Sequence, residues 1–333
     1  MDDLQGQILV AAVAVAGAAA ILHLRSKRTK NKKDAFVSEL FVYPIKSCAE
    51  ESVSSARVTS SGFENDRVAQ VTDAHGKYCT PRDPDKSNLF HVRPSLKGAI
   101  LKLEAPRADE AFTLDLASAP TEAVSAEAMD SPGTALRDYG QPVADWLQRA
   151  TGIKGCRLTG IGEGYGRTVK INPDQGDTIP PAEDPAPVSL ADEAPFLLTN
   201  TTSLDDLNRR LSKRGKGEID VRRFRPNIVA RGLRPWEEDT WRRIRIGGAE
   251  FHVWQRCGRC TMTTIDRDDL KRGPEPLATL STFRERKNGQ RNFGMHLIPV
   301  TPEAGQGDVK VGDLIEVLEY DEERKAEWHT LFG

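Results

Sequence analysis

Two cysteines stand three residues apart, Cys257 and Cys260, directly after a stretch with the pattern of a strand. Paired thiols at this spacing can hold a metal, exchange disulfides or simply pack. Thiolates are soft ligands that suit soft metals, and the cation of Arg259 between the two cysteines favours ionised sulfur. The motif therefore favours a single thiolate ligand for a soft metal.

Three other uses of the two cysteines remain open. A structural zinc site needs two further ligands, but there is no second Cys-x-x-Cys motif, and His252 and His296 are isolated in the sequence. A thioredoxin-like pair stands at the start of a helix, whereas residues 261–265 are β-prone. Two packed thiols without chemistry are the third alternative. The sequence contains no GxGxxG, GxxxxGK or HExxH motif, so nucleotide and zinc-protease sites lack support.

The composition limits the classes of protein that can carry this motif. The chain has 333 residues, enough for about two domains, and 38% of them are hydrophobic and 29% charged. This excludes a polytopic membrane protein and a wholly disordered chain. With 47 basic and 49 acidic residues the net charge is −2, which gives no case for nucleic-acid binding. Five cysteines, an odd number, indicate a reducing compartment rather than a secreted disulfide scaffold.

The N-terminus has the pattern of a single membrane anchor. Residues 8–24 carry no formal charge apart from a possible charge on His23, and residues 25–33 contain six basic residues and no acid. An apolar helix of this length spans about 25 Å, which is marginal for a bilayer core. The basic flank predicts a cytosolic side. A signal peptide and a soluble arm are the alternatives; the short, Ala-rich run is more similar to a mitochondrial outer-membrane signal anchor.

The rest of the sequence predicts a mainly β protein with some helix, built from barrels rather than a parallel sheet. Period-two patterns and turn residues predict strands at 36–45, 67–72, 78–80, 99–103, 112–116, 227–230, 241–246, 250–254, 293–300 and 309–317. Helices are predicted at 142–150, ended by Gly152, and from a capping box at Ser203 and Asp206 through Leu211. Residues 117–135 are predicted to be an exposed insertion, and residues 162–187 to be irregular.

Several short motifs, in order, resemble the MOSC family of molybdenum-cofactor proteins. They are Tyr-Pro-Ile-Lys-Ser-Cys at 43–48, Ala-Asp at 191–192, Phe-Arg-Pro-Asn at 224–227 and the cysteine motif followed by Thr-Thr-Ile-Asp at 263–266. Within that family the chain is most similar to the membrane-anchored mitochondrial amidoxime reducing components. The resemblance covers residues 36–318 and extends to the MOSC domains of molybdenum-cofactor sulfurases.

The resemblance implies the following domain order. Residues 1–33 are the transmembrane signal anchor and its basic flank, 34–160 a small MOSC N-terminal β-barrel-like domain, and 161–188 an irregular connection. Residues 189–320 are the MOSC β-barrel domain and 321–333 a C-terminal tail. We expect no pyridoxal-phosphate site, since the chain has no room for the desulfurase domain that precedes MOSC in the sulfurases.

The resemblance also assigns roles to individual residues. Cys260 is expected to be the molybdenum ligand and the catalytic residue, whereas Cys257 has no ligand role. The residues expected to bind the pterin cofactor are Lys46, Ser47, Arg67, Asp192, Arg225, Asn227, Gly258 and His296. For Asn227 a hydrogen bond at the end of the barrel is an alternative role. The chain departs from animal members at Glu193 and Ala194, which replace hydroxyl residues, and at His296, which replaces a tyrosine.

The function implied by the resemblance is molybdenum-dependent reduction of N-hydroxylated substrates, from N–OH to N–H plus water. Electrons are expected from cytochrome b5 and its NADH-dependent reductase, and the soluble domain is expected to face the cytosol from the mitochondrial outer membrane. Arg242, Arg243 and Arg245 are candidate docking residues for the electron donor, with a plain solvated face as the alternative. A membrane-tethered cofactor carrier or sulfur-transfer module without turnover is the alternative function.

Overall fold

The structure is a computed structural model that describes residues 34–119, 121–129, 131–169, 186–300 and 307–332. Strands dominate these residues and helices are few, as the sequence predicts. The strands of the first half are β1 (Ala35–Val42), β2 (Glu51–Val53), β3 (Ser55–Thr59), β4 (Gly62–Phe63), β5 (Ala69–Thr72), β6 (Arg93–Lys97), β7 (Ile100–Glu104), β8 (Phe112–Asp115), β9 (Glu122–Ala128), β10 (Ser131–Asp138) and β11 (Arg157–Ile161).

The second half contributes seven more strands and most of the helices. The strands are β12 (Phe196–Asn200), β13 (Ile228–Arg231), β14 (Trp241–Ile246), β15 (Ala249–Gly258), β16 (Asn292–Pro299), β17 (Asp308–Lys310) and β18 (Leu314–Tyr320). The α-helices among the described residues are α1 (Gln141–Thr151), α2 (Thr201–Lys213), α3 (Leu277–Leu280) and α4 (Glu322–Phe332).

Seven strands close into a barrel. The hydrogen-bonded order is β13, β12, β16, β15, β14, β18 and β1, and β1 pairs with β13 to complete the ring. Only β12 and β13 run parallel within this ring of described strands. Buried apolar side chains fill the barrel, and the rings of Phe196 and Phe251 meet edge-on at 5.3 Å. β1, the first strand of the predicted N-terminal domain, is thus hydrogen-bonded into the barrel of the predicted MOSC domain. The predicted domain limits therefore stay a prediction.

A second core lies in the first half, where α1 packs on short sheets. Val143, Leu147 and Ala150 repeat at helical spacing, and all three are buried. The helix ends where predicted, at Gly152, whose φ of 82° is a left-handed conformation that glycine adopts without strain. The nitrogen Nε1 of Trp146 donates to the carbonyl of Glu110 at 2.7 Å, which satisfies its polar atom inside this core.

Residues 117–135 are not an exposed insertion, and that prediction is wrong. β9 and β10 form a hairpin in the four-stranded sheet β5-β11-β10-β9. Along β9, Ala126 and Ala128 are buried whereas Ser125 is exposed, which is the period-two pattern of a half-buried strand. Because the inward side chains are small, the difference in hydrophobicity between the two faces of the strand is weak. The composition therefore did not indicate a strand.

Two further expectations about helices differ from the structure. α2 begins earlier than predicted, because Asn200 is its N-cap and accepts a hydrogen bond from the Thr202 amide at 3.0 Å. Ser203, the predicted cap, lies inside the helix and donates to Glu238 at 2.7 Å. The residues predicted as a C-terminal tail form α4, whose Trp328 is buried and donates to the carbonyl of Pro235 at 3.0 Å.

In the described part of the chain, no helix combines the length and the apolar character needed to cross a membrane. The apolar run at 8–24, on which the predicted anchor rests, lies outside the described residues, as does most of the predicted irregular connection at 161–188.

Candidate functional site

A cavity of about 220 Å³ is lined by segments from both halves of the chain. The first half contributes three of the predicted site residues, Lys46, Ser47 and Arg67. The second half contributes the other six, Asp192, Arg225, Asn227, Gly258, Cys260 and His296. The fold therefore brings together every residue predicted from the sequence to hold a cofactor or metal, although these residues are spread over some 250 positions of the chain.

Backbone strain is concentrated in the lining of this cavity. Seven non-glycine residues of the described chain have positive φ, and four of these line the cavity: Ser47 at 70°, Arg67 at 51°, Met129 at 47° and Arg225 at 58°. A left-handed conformation costs a residue with a side chain about 1–3 kcal/mol and persists only where its surroundings hold it. Such residues cluster at binding sites, which makes the cavity the strongest functional candidate on backbone grounds.

Lys46 and Asp192 form a charge pair in the cavity wall. The ammonium of Lys46 donates to the carbonyl of Leu190 at 2.8 Å and to the Asp192 carboxylate. Burial lowers the pKa of Lys46, and Asp192 opposes that change. Burial by itself would raise the pKa of Asp192, but Lys46 outweighs it and lowers the value to about 2. Asp192 is therefore a carboxylate at neutral pH and compensates the charge of Lys46.

Tyr43 has no predicted role, yet it organises two guanidinium groups. Its buried ring lies 4.4 Å from the guanidinium carbon of Arg67 and 4.2 Å from that of Arg225, both within cation–π distance. Its hydroxyl donates to the carbonyl of Pro226 at 3.1 Å, which ties the Tyr-Pro-Ile-Lys-Ser motif to the Phe-Arg-Pro-Asn motif. The contact explains why both motifs occur in one chain.

Arg67 and Arg225 differ in their counter-charges. Arg67 forms an ion pair with the buried carboxylate of Asp66. Arg225 donates instead to the carbonyl of Cys48 at 2.6 Å and has no carboxylate partner among the described residues. Burial lowers the pKa of Arg225 to about 10, as expected for a cation taken out of water without full compensation.

Asn227 lines the cavity, but its side-chain amide is used within the protein. Its oxygen accepts from the Leu197 amide and from Arg67, both at 3.2 Å, and its nitrogen donates to the carbonyl of Phe41 at 3.2 Å. These bonds join β1, β12 and the start of β13. The geometry matches the alternative predicted for this residue, a hydrogen bond at the end of the barrel that also orients Arg67.

The two cysteines of the motif differ sharply in environment. Cys260 is exposed and Cys257 is buried. Burial raises the pKa of the Cys257 thiol to about 11, against the lowering effect of Arg259 and with a further rise from Glu193. The Arg259 nitrogen Nη1 lies 2.5 Å from the Cys257 sulfur. Cys260 is therefore the sulfur that can reach a ligand.

Arg259 is held in the cavity wall by a backbone hydrogen bond and has a further N–H donor that the described residues leave unpaired. Its nitrogen Nη2 donates to the carbonyl of Phe224 at 2.7 Å. Its Nε is buried and has no hydrogen-bond partner in the described part of the chain. A buried donor of this kind costs free energy unless something satisfies it, and a ligand in the cavity would do so.

The segment after the cysteines is not the β-prone chain that was predicted. Thr261–Thr264 forms a single 3-10 turn that starts from Cys260. The hydroxyl of Thr263 donates to the carbonyl of Cys260 at 2.9 Å, and that of Thr264 to the carbonyl of Thr261 at 2.7 Å. Threonine hydroxyls that bond back to the chain stabilise such a turn, and this outweighs their β-propensity.

Glu193 and His296, two of the three positions at which the chain is expected to depart from animal members of the family it resembles, meet in the structure. The Glu193 oxygen Oε2 lies 3.6 Å from His296 Nδ1, and the Gln255 amide nitrogen lies 3.5 Å from that oxygen and 3.3 Å from that nitrogen. Burial lowers the pKa of His296. The imidazole is stacked on Trp254, with 6.2 Å between ring centroids.

Two residues that the sequence did not single out, Arg167 and Tyr165, donate hydrogen bonds to the loop that carries Asp192 and Glu193. Arg167 donates to the carbonyls of Ser189, Ala191 and Asp192 at 2.8, 3.0 and 3.3 Å. The hydroxyl of Tyr165 donates to the carbonyl of Ser189 at 2.6 Å. Their positions in an irregular segment left no periodic signal by which to find them.

Further cations line the cavity and were missed by the sequence reasoning. Arg223 pairs with Asp266 at 2.9 Å, and Arg82 donates to the Tyr78 hydroxyl at 2.6 Å. Arg223 stands two residues before the Phe-Arg-Pro-Asn arginine, which was an available signal, whereas Arg82 lies in a turn without one. The cations of the lining are Lys46, Arg67, Arg82, Arg223, Arg225 and Arg259, against the carboxylates of Asp192 and Glu193. The cavity is thus suited to an anion.

The candidate docking arginines on β14 are engaged with acids. Arg243 and Arg245 both contact Glu250, at 3.1 and 2.5 Å, and so share a face as the strand period predicts. Arg242 pairs with Glu319 at 3.3 Å. Their charges are largely offset, which favours the alternative of a plain solvated face.

Two family models match this chain. Residues 34–154 match the MOSC N-terminal beta barrel domain, and residues 185–316 match the MOSC domain.

Full-length relatives also match. Mitochondrial amidoxime-reducing component 1 of Homo sapiens is 30% identical over 295 residues, 85% of this chain and 82% of that protein. Mitochondrial amidoxime reducing component 2 of Bos taurus is 32% identical over 268 residues, 78% of this chain and 75% of that protein. The molybdenum cofactor sulfurase of Danio rerio is 30% identical over 280 residues, 80% of this chain. The chain spans about a third of the length of the sulfurases it matches.

Proposed function

Because this chain belongs to the family of MOSC-domain proteins that includes the mitochondrial amidoxime-reducing components, we propose that it binds the molybdenum cofactor and reduces N-hydroxylated compounds. The observation that carries the proposal is the juxtaposition in one cavity of the exposed Cys260 thiol and a surplus of cations over carboxylates.

The residues present fit this cofactor. Its pterin carries a phosphate, which needs cations and hydrogen-bond donors. Arg225 has no carboxylate partner and Arg259 has a buried, unpartnered Nε, so both have capacity for an anion. A soft thiolate such as that of Cys260 suits molybdenum.

Six residues of the cavity have a task in this proposal. Cys260 holds the metal, and Arg225 and Arg259 hold the anionic end of the pterin. Lys46 is kept in the cavity wall by Asp192. The bound cofactor supplies two-electron redox chemistry. Cys257 stays a buried thiol and packs against Arg259.

The net reaction takes an N–OH group, two electrons and two protons and yields N–H plus water. We propose that the electrons come from cytochrome b5 and its NADH-dependent reductase, as the resemblance to the mitochondrial amidoxime reducing components implies. Encounters between electron-transfer proteins are usually small and electrostatic, so the complex should weaken as salt is added.

The test combines two measurements on one purified sample, molybdenum content and turnover of a model amidoxime with reconstituted electron donors. We expect close to one molybdenum per chain and amidine formation that depends on each donor. Full molybdenum loading without turnover of any N-hydroxylated compound would overturn the reductase. Stoichiometric zinc instead of molybdenum would overturn the cofactor as well.

We also propose that residues 8–24 anchor the protein in the mitochondrial outer membrane with the soluble part in the cytosol. The apolar run with its basic flank supports this, together with the mitochondrial relatives. Deletion of residues 1–33 should release the protein from mitochondria completely, because a transmembrane helix anchors almost irreversibly. A truncated chain that still sediments with mitochondria would place the anchor elsewhere.

The second candidate is a tethered carrier or sulfur-transfer module that binds the same cofactor without turnover. Similarity to molybdenum cofactor sulfurases at 30% identity favours it. It predicts a cofactor-loaded protein that passes its cofactor or sulfur to another protein and reduces no amidoxime, so the same combined measurement separates the two functions.

A further inference from the structure

The two carboxylates that line the cavity differ in their counter-ions. Asp192 forms an ion pair with Lys46. Glu193 has no lysine or arginine partner among the described residues, and 42% of its side chain is exposed. The cavity lining therefore contains Arg225 and Arg259, which lack a carboxylate partner among the described residues, and one carboxylate, that of Glu193, whose charge no ion pair to lysine or arginine offsets there.

Neutral groups hold Glu193 in place. The Gln255 amide nitrogen lies 3.5 Å from the Glu193 oxygen Oε2, and the imidazole of His296 lies 3.6 Å from it. Burial keeps the pKa of His296 below its ordinary value, so the ring is neutral at pH 7 and does not cancel the carboxylate.

The charged groups that act on His296 are few and come from several elements. Glu193 and Asp192 approach from the loop before β12, Arg259 from the segment after β15, and Arg67 from the turn before β5. Glu193 also lies close enough to the cysteine motif to act on Cys257. Glu193 and Cys260 line the same cavity.

A half-exposed carboxylate without a cation binds planar, positively charged N–H donors best. Amidinium and guanidinium groups place two parallel N–H bonds on one carboxylate, and such charge-assisted pairs are roughly twice as strong as neutral hydrogen bonds. A hydroxamic acid carries a carbonyl in place of the second amino group and has no positive charge. Glu193, which lines the cavity, thus discriminates among N-hydroxylated compounds by charge and by donor geometry.

We propose that Glu193 is a specificity-determining residue that binds the protonated amino groups of N-hydroxyguanidines in preference to neutral hydroxamic acids. This rests on the proposed reductase function and adds the substrate class to it. Gln255 and His296 are positioning residues that hold the carboxylate.

The first measurement needs no turnover. Benzamidinium, a permanently charged amidine at pH 7, is titrated calorimetrically into the cofactor-loaded enzyme. Loss of a charge-assisted bond should weaken binding about 10- to 100-fold in Glu193→Gln. Glu193→Asp should recover part of the loss, and Glu323→Gln, at an exposed carboxylate of α4, should bind as the unaltered protein does.

The second measurement compares kcat/KM for an N-hydroxyguanidine with that for benzohydroxamic acid. The ratio of the two values should fall about 10- to 100-fold in Glu193→Gln, mostly through KM for the charged substrate. An unchanged ratio together with unchanged benzamidinium affinity would overturn the role of Glu193 while leaving the reductase intact. If no N-hydroxylated compound is reduced by the unaltered enzyme, the proposed function fails instead, and benzamidinium binding still tests the carboxylate.

Discussion

Arginines are buried in two regions of the protein, and their counter-charges differ. In the first region, which we call the paired network, Arg256 and Arg284 share the buried carboxylate of Asp239 at 2.9 and 2.6 Å. In the cavity, Arg225 and Arg259 donate to backbone carbonyls at 2.6 and 2.7 Å and have no carboxylate among the described residues. Arg256 and Arg284 thus have carboxylate partners, Asp239 for both and Glu327 for Arg256, whereas Arg225 and Arg259 lack such partners.

The presence or absence of carboxylate partners distinguishes a structural ion-pair cluster from a ligand-binding site. A buried cation without a partner costs several kcal/mol, and a fold tolerates it where a ligand supplies the missing charge. Burial would raise the pKa of Asp239, yet its two arginines lower it, so the paired network is complete in itself. The cavity is complete only with an anion bound.

The largest effect is expected for variants of the two cysteines in the cavity, of which one is exposed and the other buried. Cys260→Ser should lose turnover and molybdenum altogether, whereas Cys257→Ser should keep most of both, because only Cys260 is exposed to a ligand. Molybdenum analysis and amidoxime turnover check this. Equal losses in two folded variants would point to a dithiol site.

Asp239→Asn tests the paired network. It leaves Arg284 buried without a carboxylate partner among the described residues and Arg256 without one of its carboxylates, and breaking such a buried pair costs about 3–5 kcal/mol. Denaturant unfolding of the cofactor-free protein should show this loss. A loss below about 1 kcal/mol would mean that the buried charges are compensated by other groups.

Arg225→Gln tests the cavity, the region in which the arginine has no carboxylate partner among the described residues. It removes a cavity cation that has no carboxylate, so cofactor affinity should fall about 10- to 150-fold, equivalent to about 1.5–3 kcal/mol. The unfolding free energy of the cofactor-free protein should change much less than in Asp239→Asn. Unchanged cofactor occupancy would show that the pterin phosphate binds elsewhere.

The smallest effect is a pH dependence at Glu238, next to the paired network. Burial and the neighbouring charge of Asp239 raise the pKa of Glu238 from 4.5 to about 7 in the folded protein. The folded state then holds a proton that the unfolded state releases, so this group makes stability fall as pH rises from about 4.5 to about 7. Glu238→Gln should flatten that slope in unfolding curves. A slope that persists in the variant would assign it to another group.

Much of the fold followed from local patterns. The hairpin of β14 and β15, the helix stopped at Gly152 and the mainly β class all depend on periodicity and turn residues, which act over a few positions. β9 and β10 were missed because small side chains give little hydrophobic contrast. The turn at Thr261–Thr264 was missed because its hydroxyl bonds to the backbone outweigh propensity.

The sequence by itself determined which residue types and motifs could hold a molybdenum cofactor, since these depend on chemistry that each side chain carries in any fold. Only the tertiary structure decided which arginines keep a surplus charge, because that depends on carboxylates distant in sequence. It also decided that Asn227 joins strands of the barrel and that Glu193 lies beside His296, since residues 30 to 186 positions apart meet only when the barrel closes.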